Sequence, residues 1–98
     1  MEKVDDPKLN STIHSNRAHC ALLLGNLRRA LDDGAESVKL NPRNVKGWFR
    51  AAKGALGLEK LEECMGFCTE GLKVDAGNRD LEVMLKAGAY TRPLLSPT

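Results

Sequence analysis

Three cations, Lys46, Arg50 and Lys53, stand at spacings of four and three within the stretch VKGWFRAAKGALG from Val45 to Gly57. Residues so spaced share one side of an α-helix. The stretch therefore presents a basic stripe, while Trp48, Ala51, Ala52 and Ala55 fall on the side free to pack. Lysine offers a compact point charge, and arginine a planar fork that holds a carboxylate through two bonds. Other reactive residues are less organised. Cys64 and Cys68 share a helix face, but no second ligand pair follows at zinc-site spacing, so they read as small core residues rather than metal thiolates. His14 and His19 differ by five and do not stack on one face; no metal site is expected. No G-x-S-x-G, phosphate loop, H-E-x-x-H or dinucleotide fingerprint occurs, so neither an enzyme nor a cofactor is expected.

The elements that must position the stripe are helical. The segment 1–6 is a charged, frayed lead-in, and Asp6-Pro7 is a helix start, an acceptor side chain followed by a residue whose fixed φ suits the first turn. A first helix is expected over 7–24, with Leu9, Ile13, Ala18, Ala21, Leu22 and Leu24 as its apolar residues and Gly25-Asn26 as its exit. A second covers 27–40, burying Leu27, Ala30, Leu31, Ala35, Val38 and Leu40, with Arg28, Arg29, Asp32, Asp33, Glu36 and Lys39 mostly solvated. Asn41-Pro42 closes it, because the residue before proline is pushed out of the α region. Further helices follow over 45–57, 61–74 and 79–88, and the tail 89–98, with Pro93 and Pro97, reads as disordered. Nothing alternates with period two, so the chain is all-α.

Ninety-eight residues make one domain of modest stability. A formal charge of +2, from fifteen basic and thirteen acidic residues, argues against nucleic acid and against an anionic membrane. No apolar run approaches the roughly 20 residues that span a bilayer, and the start MEKVDDPKLN is too acidic for a signal peptide. Three cysteines without a framework fit reduced thiols. The expectation is a soluble chain of the cytoplasm, with the nucleus also open to it.

Sliding the sequence by 34 residues superposes Ala18 on Ala52, Ala21 on Ala55, Leu22 on Leu56, Leu24 on Leu58, Leu27 on Leu61, Glu36 on Glu70 and Lys39 on Lys73, without a gap. A helix-turn-helix unit of this period is the signature of the tetratricopeptide repeat. Small residues such as Ala18, Ala30, Ala52 and Cys64 let paired helices approach closely. Two units occupy about Ser11 to Ala76, and 79–88 is in phase as a capping helix of a helix-turn-helix solenoid. Stacking needs about three units. Gly34, Gly47, Gly54, Gly66 and Gly71 inside the helices each cost up to about 1 kcal/mol against alanine before packing is counted, so a marginal fold is expected.

The segments HSNRAHCALLLGNLRRALDD, LNPRNVKGWFRAAKGAL and CTEGLKVD, with the lead-in DPKLN, resemble the tetratricopeptide domain of chaperone cofactors, most of all the Cns-type group, also called the tetratricopeptide repeat protein four group. The resemblance implies a groove that holds the acidic C-terminal peptide, ending Glu-Glu-Val-Asp, of the 90-kDa and 70-kDa heat-shock chaperones in a carboxylate clamp. It places Asn16, Lys46 and Arg50 in that clamp, with His19, Phe49 and Lys53 as further groove contacts. The family's clamp also takes a lysine and an asparagine from an earlier helix, and these have no counterpart here. Losing two charge-assisted hydrogen bonds weakens binding by about several hundredfold or more. The resemblance also implies an uncovered N-terminal helix face that favours self-association.

Three functions follow. A co-chaperone-like adaptor binding an acidic chain end through a partial clamp is the leading one. The alternative is a truncated, self-associating helical fragment without peptide binding. A third, weak nucleic-acid binding by Lys46, Arg50 and Lys53 with Arg28, Arg29 and stacking by Trp48 and Phe49, is opposed by the near-neutral charge, and Trp48 reads better as inter-helix packing.

Overall fold

A computed structural model describes the backbone of residues 6–95 and the side chains of residues 6–88. Five helices follow one another: α1 (Pro7–Leu23), α2 (Leu27–Leu40), α3 (Val45–Gly57), α4 (Leu61–Val74) and α5 (Arg79–Leu95). There is no strand among the described residues, and no described helix is long and apolar enough to cross a membrane. Residues 1–5 of the expected lead-in 1–6 and the last three residues of the expected tail lie outside the described residues.

Four helix starts are capped by local side chains. Asp6, Asn26, Asn44 and Asn78 accept hydrogen bonds from the backbone N–H groups of Leu9, Arg29, Gly47 and Leu81 at 3.0–3.2 Å. Each satisfies a donor that the helix itself leaves unpaired. The turns after α1 and α3 are the same object displaced by 34 residues. Leu24, Gly25 and Asn26 donate to the carbonyls of Cys20, Leu22 and Ala21, while Leu58, Glu59 and Lys60 donate to those of Gly54, Leu56 and Ala55. This is the Schellman pattern, and it requires a left-handed residue. Gly25 supplies it at φ 78°, whereas Glu59 adopts φ 62° with a side chain present.

Each helix packs on the next, and in addition α1 touches α3 and α3 touches α5, whereas α2 and α4 do not meet. The odd-numbered helices therefore line an inner surface and α2 and α4 form an outer one. Small residues make this approach possible: Ala18, Ala30, Ala51, Ala52, Ala55, Cys64 and Cys68 are completely buried. Leu81 and Met84 of α5 close the core against α3 and α4. Trp48 ties α3 to its surroundings by donating from Nε1 to the Pro42 carbonyl at 2.7 Å and by a tilted contact with Phe67, ring centroids 6.1 Å apart.

The structure corrects three expectations. The tail does not begin at residue 89, because α5 continues to Leu95. Pro93 falls in its last turn, where a missing N–H forfeits one hydrogen bond near an end rather than interrupting a long run. Asp33 is buried, not solvated: His14 Nδ1 lies 3.1 Å from one carboxylate oxygen and Arg17 Nε 3.6 Å from the other. Leu9, Ile13 and Leu24, apolar residues of the first helix and its exit, are 46%, 46% and 84% exposed, since no described element packs over them. Finally, the glycines within helices are mostly sites of close approach. A Cβ on Gly34 would sit 2.6 Å from the Ala51 backbone nitrogen, and one on Gly54 would sit 2.8 Å from that of Leu31, whereas one on Gly66 would meet nothing within 4 Å.

The substitutions Gly54→Ala and Gly66→Ala should consequently act in opposite directions in thermal or urea unfolding. The first should destabilise by about 1–3 kcal/mol through overpacking, and the second should stabilise by about 0.5–1 kcal/mol through helix propensity and a less flexible unfolded chain. Equal effects would refute the close-approach account. Replacing Glu59 with glycine should raise stability by up to about 1 kcal/mol by relieving the left-handed backbone.

Candidate functional site

The basic stripe is set by the start of α3. Asn44 caps that helix and also donates from Nδ2 to Ser11 Oγ at 2.8 Å, while Ser11 Oγ donates to the Ser37 carbonyl at 2.6 Å. The first turn of α3 is thus fastened to both α1 and α2. Lys46 follows in that turn and remains exposed. One turn on, Arg50 reaches back across the inner surface, and its Nη1 donates to the Ser15 carbonyl of α1 at 2.9 Å. Burial lowers the Arg50 pKa from its ordinary value, and the neighbouring Cys20 opposes that shift. The bond to Ser15 uses one of five guanidinium N–H donors and leaves the rest for a ligand.

A cavity of about 190 Å³ opens at this point, lined by His19 of α1, by Val45, Lys46, Phe49 and Arg50 of α3, and by Asn78 and Asp80 at the start of α5. Four of the expected residues, His19, Lys46, Phe49 and Arg50, are therefore brought together. Lys53 is placed next door. Its Nζ lies 5.6 Å from the Phe49 ring centroid, and it lines a second cavity of about 330 Å³ with Leu56, Arg79, Asp80, Val83, Met84 and Ala87. Asn16 does not line the cavity around Lys46 and Arg50. It lines a cavity of about 650 Å³ on the α1–α2 face with Ile13, Arg17, Cys20, Ala21, Leu24, Asn26 and Arg29. Cys20 connects the two regions, since it shares that cavity with Asn16 and neighbours Arg50.

Other candidates fall to structural roles. Cys64 and Cys68 are buried and hydrogen-bonded to one another; that bond and burial raise the Cys68 thiol well above its ordinary pKa, which disfavours a thiolate. His14 is engaged with Asp33 rather than with His19. Among the described residues no three His, Cys, Asp or Glu side chains form a metal-ligating group.

Sequence reasoning missed Asn78, Asp80 and the Ser15 carbonyl. A signal for the first two existed in the repeat phase. Asn78 stands 34 residues after the cap Asn44, and Asp80 the same distance after Lys46. Arg50 likewise follows Asn16 by 34, so these two occupy one level of successive inner helices. The Ser15 carbonyl left no signal, because a backbone acceptor has no identity in a sequence.

No family model matches the chain. Tetratricopeptide repeat protein 4 of Mus musculus is 37% identical over 92 residues, which is 93% of this chain and 24% of that protein. The Hsp70/Hsp90 co-chaperone CNS1 of Saccharomyces cerevisiae is 35% identical over 82 residues, 83% of this chain and 21% of that protein. The chain thus spans about a quarter of the length of the curated relatives it matches. Among solved structures, the Hsp90 co-chaperone Cns1 from Saccharomyces cerevisiae (delta69) superposes with a TM-score of 0.84 at 32% identity, covering 95% of this chain and 30% of that one. The first TPR of Spaghetti (RPAP3) bound to HSP90 peptide SRMEEVD gives 0.82 at 26% identity, covering 93% and 70%. The chain is a tetratricopeptide repeat solenoid, homologous over most of its length to a part of tetratricopeptide repeat protein 4 and to a part of the Hsp70/Hsp90 co-chaperone CNS1.

Proposed function

We propose that this chain is a protein-binding adaptor of the co-chaperone type, which takes the acidic C-terminal Glu-Glu-Val-Asp peptide of 90-kDa or 70-kDa heat-shock chaperones through a partial carboxylate clamp. The observation that carries the reading is the convergence of Lys46, Arg50 and His19 on one open cavity of the inner surface with Phe49 as its apolar wall. The likeness to a solved repeat domain bound to an HSP90 peptide supports it. In this reading the terminal carboxylate pairs with the free edge of Arg50 and with Lys46, and Asn16 offers an amide donor from the same level of α1. Lys53 receives an acidic side chain further along the groove. Binding is recognition by charge and hydrogen bonding with no chemical step.

Calorimetric titration with SRMEEVD as the free acid and as the C-terminal amide tests the clamp. The free acid should bind at least about tenfold more tightly, because a charge-assisted hydrogen bond contributes about 1.5–3 kcal/mol. Equal affinities would sink the proposal. Arg50→Ala should weaken the free acid by about tenfold or more, and Asn16→Ala by less. Because Arg50 also holds the Ser15 carbonyl, a melting curve of each variant must accompany the titration, and Arg50→Lys should recover the fold better than the affinity. Affinity should fall as salt is raised.

A second reading, self-association without peptide capture, is favoured by one observation. Leu9, Ile13, Leu23 and Leu24 are 46%, 46%, 74% and 84% exposed along α1 and its exit, beside the apolar cavity of about 650 Å³. Light scattering over a range of concentrations should then show assembly that Ile13→Ser with Leu24→Ser abolishes. A monomer at all concentrations would dismiss it.

A further inference from the structure

Asp80 is the one feature of the groove that an anion-binding reading leaves unused. It lines both inner cavities, one with Lys46 and Arg50 and the other with the cations Lys53 and Arg79 beside apolar Leu56, Val83 and Met84, and is the only acid among the described residues of either lining. Its side chain is exposed and makes no ion pair among the described residues. In the repeat phase it occupies on α5 the position that Lys46 occupies on α3. The inner surface therefore changes sign along one row of equivalent positions. A chain end held at Lys46 and Arg50 that extends toward Val83 and Met84 must pass a carboxylate.

We propose that Asp80 is a specificity-determining residue of this groove, selecting peptides that carry a cationic side chain upstream of their terminal carboxylate and disfavouring a further acidic side chain at that place. The inference rests on the peptide-binding reading above and adds a polarity to it. The preferred ligand is a peptide with a negative terminus, a positively charged residue a few positions earlier, and an apolar residue beside it for the cavity formed by Leu56, Val83 and Met84. Opposite charges across a solvated groove contribute modestly, which sets the expected size at about two- to fivefold in affinity.

The test is a set of heptapeptides sharing a free C-terminal aspartate on a neutral background, in which a single lysine, or in a parallel set a single glutamate, moves from the penultimate position to the first. They are titrated into the 98-residue chain and into Asp80→Asn, with circular dichroism to compare the folds. One lysine position should bind about two- to fivefold more tightly than the neutral peptide, and glutamate at that position more weakly. Both differences should vanish in Asp80→Asn but persist in Glu82→Gln, which removes the other acid from the first turn of α5. A merely structural role in that helix start would move all peptides alike. No preferred lysine position, or a preference that survives Asp80→Asn, overturns the proposal while leaving the clamp intact. Binding indifferent to amidation of the aspartate overturns the clamp reading and this inference together.

Discussion

The distance between the backbones of α2 and α3 governs the remaining geometry. At Gly34 and Gly54 there is no room for even one methyl group, because the Ala51 and Leu31 backbones occupy the space a Cβ would need. Alanines at 18, 30, 51, 52 and 55 extend the same condition across the neighbouring contacts. The interior is consequently built from helices pressed together rather than from large side chains meeting between them. Dispersion between closely packed backbones and small groups carries more of the cohesion than in a leucine-rich core. That closeness also places the α1 carbonyl of Ser15 within reach of Arg50.

A polar layer accompanies the small-residue packing. Ser11, Ser15, Ser37 and Asp33 are all buried between α1, α2 and α3, and the three serines hydrogen-bond to backbone carbonyls of Ser37, Thr12 and Gly34. Asp33 is less evenly served. One oxygen meets His14, while the other has no hydrogen-bond partner and is offset by the charge of Arg17 at 3.6 Å. The Ser11 bond to Ser37 and the His14 contact with Asp33 cross from α1 to α2 and oppose sliding of those helices, whereas the Ser15 and Ser37 hydroxyls bond within their own helices.

Much of the fold was legible because its determinants are local or periodic. Caps act within three residues of themselves, so Asp6 announces its helix directly, and the 34-residue phase marks equivalent surfaces without any knowledge of contacts. Helix spacing put Lys46 and Arg50 on one side, and the family resemblance added Phe49 and His19 to them. Properties that depend on what a neighbour does were hidden. Asp33 lies in a charged stretch, and only the approach of His14 and Arg17 reveals its burial. A glycine looks like a propensity cost until the facing backbone is seen, as Gly34 against Ala51 and the open surroundings of Gly66 show. Pro93 suggested a break that its position in the last turn of α5 makes unnecessary. The opposite charge of Asp80 in the row of Lys46 was available from the phase alone, but its significance required the two cavities that share it.

The meeting of α1 with α3 and of α3 with α5, against the separation of α2 from α4, gives the solenoid a hinge-side and a free side. Along the inner row α3 is bounded on both flanks, by α1 and by α5, so its width is a fixed dimension. Along the outer row there is a gap between successive helices, and bulk added there displaces solvent rather than protein. Sequence drift should accordingly be graded across the thickness of the molecule, narrow on the inner face and broad on its back. A library randomised separately on the two faces would measure that gradient directly, without any ligand in hand.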